Sequence, residues 1–155
     1  MRPLPLSRIA QWTNGRLLAF GDAGDVLIDA VETDTRTLDA SDGRAALFIA
    51  LKGANFDGHD HVASAAEQGA RAALVSREVD VPLPQVVVAD TERALAAFAA
   101  TLQHARAGKV VGITGSNGKT SVKQLTLAIL GRVGKAYANP CNRNNEIGLP
   151  LAVID

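Results

Sequence analysis

Val110-Val111-Gly112-Ile113-Thr114-Gly115-Ser116-Asn117-Gly118-Lys119-Thr120-Ser121 is the stretch on which the reading of this chain turns. It opens on a short β-branched run, passes through glycines and ends in Gly-Lys-Thr-Ser. An apparent helix over residues 122–130 follows. A phosphate-binding loop needs that order. A buried strand delivers the chain to a sheet edge, and glycines let backbone N–H groups converge on phosphate oxygens. The helix N-terminus then adds a partial positive charge. In such a loop Gly115, Ser116, Asn117, Gly118, Lys119, Thr120 and Ser121 line the phosphates. Lys119 reaches the terminal phosphates and Thr120 ligates Mg²⁺.

The loop departs from the strict pattern, Gly-x-x-x-x-Gly-Lys-[Ser/Thr], which requires glycine at position 113. Ile113 stands there instead, with Gly112 and Gly115 on either side. The bland alternative is a glycine-rich turn before an ordinary helix, with Lys119 solvated. The succession of strand, loop, Lys-Thr and helix favours the phosphate site.

Charge is distributed around this loop unevenly. The 155-residue chain has 16 Lys/Arg and 16 Asp/Glu, a formal net charge of zero. From His104 onward the bases exceed the acids by five, and before it the acids exceed the bases by five. A basic segment around the loop suits a polyanionic nucleotide. No basic cluster interleaves with aromatics, so nucleic acid is not expected as the partner. Hydrophobic residues at 47% with aromatics at only 4% predict an aliphatic core. A lone Cys141 excludes an internal disulfide framework and fits a reducing cytoplasm, with no chemistry of its own. No apolar run approaches membrane-spanning length, and the proline-rich start does not resemble a signal peptide. A cytoplasmic monomer is expected.

Upstream, Ser7 to Trp12 reads as a short helix with Ser7 as N-cap and Asn14-Gly15 as its stop. Arg16 to Phe20 and Val26 to Glu32 read as strands around the turn at 21–25. Thr33-Asp34-Thr35-Arg36 is a polar break. Ala46 to Leu51 is a buried strand, and Lys52 to Asp60 a polar loop. An alanine-rich helix over 62–68 closes on Gly69. Ala72 to Val75 and Val86 to Ala89 are further strands, separated by Pro82-Leu83-Pro84. Asp90 caps a helix running to about Arg106, and Gly108 ends it. Downstream of the loop, Lys135 to Ala138 reads as a short strand, 139–146 as a dense polar loop, and 147–154 as an apolar segment.

Strands alternating with helices predict an α/β class. The expected division is a small N-terminal α/β domain, residues 1–107, followed by residues 108–155 as the start of a P-loop mononucleotide-binding α/β domain. About 47 residues are too few to close a core around a nucleotide-binding sheet, so the second unit reads as truncated.

Several blocks together resemble the Mur ligase family, the ATP-dependent amide ligases that build the peptidoglycan stem peptide. They are Asp34-Thr35-Arg36 with Ala46-Leu47-Phe48-Ile49-Ala50-Leu51-Lys52-Gly53, then Asn55-Phe56-Asp57-Gly58-His59 with Ala65-Ala66-Glu67-Gln68-Gly69-Ala70. Thr114 to Ser121 is a third, and Asn142-Arg143-Asn144-Asn145-Glu146-Ile147-Gly148-Leu149-Pro150 a fourth. The Thr-Ser after Lys119 and the asparagine-rich last block resemble the branch that adds D-Ala-D-Ala. The ligase adding the third stem residue is the runner-up. Cys141 departs from the small residue usual in the family.

The resemblance implies ATP and Mg²⁺ as cofactors, with UDP-N-acetylmuramoyl-tripeptide and D-Ala-D-Ala as substrates. ATP would activate the tripeptide carboxylate as an acyl phosphate, which the D-Ala-D-Ala amine attacks. Lys119 is the catalytic candidate and Thr120 the metal ligand. Thr35, Arg36 and Asn55 are placed at the UDP end, and Asn144 and Asn145 near the acyl acceptor. The chemistry of the residues fits: an arginine fork and a hydroxyl suit phosphate, and paired amides hold polar groups without adding charge. Each has a plainer reading. Arg36 suits a surface salt bridge. Asn55, Asp57, Gly58 and His59 suit a helix-capping turn, the role favoured for His59. Asn144 and Asn145 suit a solvated loop. The family's remaining metal ligands, its carbamylated lysine and its C-terminal domain would follow Asp155, so the chain alone is expected to lack ligase activity. Two other classes stay open, a UDP-sugar binding module without chemistry and an unrelated P-loop kinase or GTPase. The last would need an acidic residue after a later strand, a pattern the sequence lacks.

Overall fold

Ala46-Leu47-Phe48-Ile49 and Ala72-Ala73-Leu74-Val75 have no exposed residue. Runs apolar on both faces form strands covered on both sides, as in parallel sheets. They are the central strands of the computed structural model, which describes residues 1–19, 25–106, 108–139 and 145–154.

The strands are β1 (Leu4–Pro5), β2 (Arg16–Leu18), β3 (Leu27–Ile28), β4 (Ala30–Glu32), β5 (Ala46–Ile49), β6 (Lys52–Gly53), β7 (Phe56–Asp57), β8 (Ala72–Val75) and β9 (Gln85–Val87). The helices are α1 (Leu6–Trp12), α2 (Val62–Glu67), α3 (Thr91–Ala105), α4 (Lys119–Leu130) and α5 (Gly148–Ile154). The main sheet runs β2-β9-β8-β5-β4. Strands β4, β5, β8 and β9 are mutually parallel, and β2 lies antiparallel on β9. Two small antiparallel pairs, β1 with β3 and β6 with β7, flank it.

Alternation along the strands divides the core. Val31, Leu47, Ile49, Leu74 and Val86 face Leu6 and Ile9 of α1, Leu95, Phe98 and Leu102 of α3, and Ile154 of α5. Ala30, Ala46, Phe48, Ala73 and Val75 face Val62 and Ala65 of α2. The result is a three-layer α/β arrangement, the predicted class. Asp90 caps α3 as expected, its Oδ1 accepting from the N–H groups of Glu92 and Arg93 at 2.9 Å each. Among the described residues, no helix is long and apolar enough to cross a membrane.

Five local expectations change. Ser7 does not cap α1, which starts one residue earlier after Pro5. Asp25 takes over the role from across the β1–β3 pair, accepting the Ser7 N–H at 2.9 Å. The single strand expected over 26–32 is two. Asp29 interrupts it by exchanging hydrogen bonds with Ala45 through its own N–H and its Oδ1. The polar loop 52–60 contains the β6–β7 hairpin and a 3₁₀ turn, Gly58–His61. The strands expected at 110–113 and 135–138 do not form. A strand needs a neighbour for its N–H and C=O groups, and no described strand lies beside either segment. Val110 and Val111 are correspondingly 64% and 62% exposed. The apolar segment 147–154 is α5, packed on α3. Residues 21–24 of the turn expected at 21–25 and the positions Cys141, Asn142, Arg143 and Asn144 lie outside the described residues.

Candidate functional site

Four parallel strands discharge their loops at one edge, and open α/β sheets bind ligands outside the carboxyl ends of their strands. After β4 comes the turn carrying Thr35 and Arg36. After β5 comes the β6–β7 hairpin with Asn55 at its tip. Ser76 and Arg77 follow β8, and Asp90 follows β9. The topology therefore brings three of the predicted substrate residues, Thr35, Arg36 and Asn55, to a common edge.

Arg36 is paired there. Its Nε donates to both oxygens of Asp34 at 3.0 and 3.1 Å, and Nη2 to Oδ2 at 2.6 Å. The side chain remains 87% exposed, so a cation is presented to solvent in a fixed orientation. The Arg36 side chain and then its backbone N–H hold the Asp34 carboxyl down to about 2. Phe56 and His61 stack nearby with ring centroids 6.0 Å apart. Asp57 is held well below the usual carboxylate range by the His59 backbone N–H, then the His59 ring and Arg77. Sequence reasoning missed Ser76 and Arg77. They carry no local signal and reach the edge only because β8 pairs with β5.

The glycine-rich loop follows α3 in the chain. Gly115 and Gly118 have φ of 144° and 77°, the left-handed region that side chains disfavour. Gly118 precedes the first turn of α4, and its carbonyl accepts the Val122 N–H at 2.9 Å. The helix thus begins at Lys119, three residues before the expected start and inside the motif. Lys119 Nζ folds back onto the carbonyl of Gly115 and lies 3.4 Å from that of Ser116. Ser116, Asn117, Thr120 and Ser121 are exposed around it. Left-handed glycines, a twelve-residue helix opening on Lys-Thr and a lysine lying over the loop fit a nucleotide phosphate.

Asn145 lies just before α5, across a cavity from Asp90 at the β9 exit. Its Oδ1 accepts the Gly148 N–H at 2.6 Å and so caps α5. It also lines an open cavity of about 520 Å³ between α3 and α5, with Asp90, Arg93, Ala96, Leu149 and Pro150. No residue of the 112–121 loop borders that cavity. Asn144 lies outside the described residues.

A family model described as Mur ligase family, catalytic domain, matches residues 28–113. A second, Mur ligase middle domain, matches residues 113–155. This chain belongs to the Mur ligase family. It is 42% identical over 154 residues to the UDP-N-acetylmuramoyl-tripeptide–D-alanyl-D-alanine ligase of Escherichia coli, covering 99% of this chain and 32% of that relative. A crystal structure of MurF from Acinetobacter baumannii superposes with a TM-score of 0.89 at 32% identity, over 99% of this chain and 33% of that one. MurF from Thermotoga maritima in complex with ADP superposes with a TM-score of 0.71 at 31% identity, over 81% of this chain and 29% of that one. The chain is thus most like MurF and spans about a third of the length of these relatives.

Proposed function

We propose that the chain is the N-terminal portion of an ATP-dependent amide ligase of peptidoglycan precursor synthesis, joining D-Ala-D-Ala to UDP-N-acetylmuramoyl-tripeptide. The observation that carries this is the match along 99% of the chain to a relative bearing that name. In this reading residues 1–107 hold the UDP end of the substrate, and residues 108–155 open the ATP-binding domain.

Thr35, Arg36 and Asn55 receive the nucleotide sugar at the carboxyl edge of the sheet, where an oriented guanidinium suits pyrophosphate. Gly115 to Ser121 cradle ATP, as the ADP complex of the related MurF supports. Lys119 would offset charge on the transferred phosphoryl group, and Thr120 would hold Mg²⁺, which would supply further neutralisation of the phosphate charge. The carboxylate of the tripeptide takes the γ-phosphoryl group, and the amine of D-Ala-D-Ala displaces phosphate from the resulting mixed anhydride. Asn144 and Asn145 are assigned to the neighbourhood of the acceptor. Capping of α5 occupies Asn145 Oδ1 and leaves its NH₂ group for a ligand.

Calorimetric titration of the 155-residue chain tests the reading. UDP-N-acetylmuramoyl-tripeptide and Mg-ADP are each expected to bind. Lys119→Ala is expected to weaken ADP by about tenfold or more, the loss of a charge-assisted hydrogen bond. No ADP is expected to form from ATP when all substrates are supplied. Turnover dependent on both acceptor and donor would overturn the last point, and failure of the UDP compound to bind would overturn the assignment of the edge. A second reading, a UDP-sugar module without a working ATP site, is favoured by α4 having no buried side chain. Binding of the UDP compound alone would select it.

A further inference from the structure

Asp57, His59 and Ser76 form a connected series that the proposed reaction does not use. His59 is 3% exposed. Its Nδ1 lies 2.5 Å from Asp57 Oδ1. Its Nε2 accepts the Ser76 N–H at 2.8 Å and lies 3.1 Å from Ser76 Oγ. A backbone amide can only donate, so Nε2 is the acceptor and Nδ1 carries the ring proton. Asp57 Oδ1 takes that proton's hydrogen bond and the His59 N–H at 3.0 Å, while Oδ2 takes Arg77 Nη1 at 2.9 Å. Asp, His and Ser in this order resemble a nucleophilic triad. Here the lone pair that a general base needs is already committed to the Ser76 N–H, so the constellation holds structure in place.

It joins the exits of two strands. Gly58, between Asp57 and His59, lies against the end of β5 and donates its N–H to Leu51 O at 2.8 Å. A Cβ on Gly58 would stand 2.7 Å from that oxygen. Ser76 is the residue after β8. Between the end of β5 and this clip lies the β6–β7 hairpin, which carries Lys52 and Asn55 on the substrate edge.

We propose that His59, as a neutral Nδ1–H imidazole, is a positioning residue that fixes the β6–β7 hairpin so that Lys52 and Asn55 meet an anionic nucleoside-diphosphate sugar. The proposal rests on the reading that this edge receives the UDP end of the substrate. Nitrogen-15 NMR of the 155-residue chain should place the ring proton of His59 on Nδ1. His59→Ala should displace the amide signals of residues 52–57 and weaken UDP-N-acetylmuramoyl-tripeptide by about tenfold or more, because the buried imidazole that links Asp57 to the Ser76 N–H is lost. His59→Gln, which keeps an acceptor for the Ser76 N–H, should restore most of that affinity. Leu95→Ala, a core substitution remote from the edge, should lower the melting temperature without changing affinity. A ring proton on Nε2, unmoved hairpin signals in His59→Ala, or His59→Gln binding as weakly as His59→Ala would each overturn the proposal. If the wild-type chain takes up no UDP compound, the assignment of the edge fails, while the tautomer and the hairpin signals still decide the role of His59.

Discussion

The carboxylates of Asp34 and Asp57 stay ionised further into acid than a free aspartate because each accepts several hydrogen bonds that the charged form accepts best. Asp34 is held down to about 2 by Arg36. Asp57 lies well below the usual range, first through the His59 N–H, then the His59 ring and Arg77. A carboxyl whose folded value is depressed stabilises the fold above its unfolded value, at about 4, and the contribution disappears as pH falls further. The melting temperature of the chain is therefore expected to drop between about pH 4 and pH 2. Asp57→Asn should start lower at neutral pH and fall less steeply in acid. Asp34→Asn should change the acid limb less, because its partner Arg36 is exposed and solvent screens the pair. Parallel acid limbs for wild type and Asp57→Asn, measured by scanning calorimetry, would contradict this account. Only part of the pairing could be read beforehand. Asp57 and His59 are two residues apart and hint at a turn. Arg77 and Ser76 enter through strand pairing, which no local pattern encodes.

Among the elements, α3 and α4 make the sharpest contrast. The fifteen residues of α3 bury Leu95, Phe98, Ala99 and Leu102, and Asp90 caps them twice. The twelve residues of α4 include no fully buried one. Isolated helices shorter than about 12–15 residues are marginal in water, because nucleation is costly and packing supplies most helical stability. Amide hydrogen exchange is expected to be slow across the middle of α3 and faster by orders of magnitude across α4. Mg-ADP should slow the amides of Lys119 to Val122. Equal protection in the two helices without nucleotide would refute the contrast. The same physics explains which elements were legible. Strands β5 and β8 and helices α2 and α3 announce themselves through apolar period, caps and stops, all of them local. The strands expected at 110–113 and 135–138 have suitable residues, yet a strand exists only with a neighbour. In the glycine-rich loop, Gly-Lys-Thr located the start of a helix correctly in kind, and the left-handed Gly118 moved that start to Lys119.

Across the whole molecule, the core is not contiguous in sequence. Ile154 is 1% exposed among residues of α1, α3 and the sheet. Arg106, just past the end of α3, donates from Nη1 to Val153 O at 2.6 Å and from Nη2 to Ile154 O at 3.1 Å. A cation satisfying carbonyls at the end of α5 is favourable both as a cap and against the helix dipole. The segment carrying Asn145 is therefore tied to α3 and the main sheet through its own helix, although the exposed α4 intervenes in sequence. Trp12 packs against Phe98 with ring centroids 6.1 Å apart, so its fluorescence reports on the α1–α3 side of this core. Urea denaturation followed through Trp12 should show Ile154→Ala to be destabilising by about 2–5 kcal/mol, the usual consequence of emptying a buried aliphatic site. Leu125→Ala, on α4 and 64% exposed, should shift the same transition by no more than about 0.5 kcal/mol. If α5 were only a loosely attached tail, the two substitutions would be indistinguishable. If α4 were integral to the same cooperative unit, Leu125→Ala would approach the cost of Ile154→Ala.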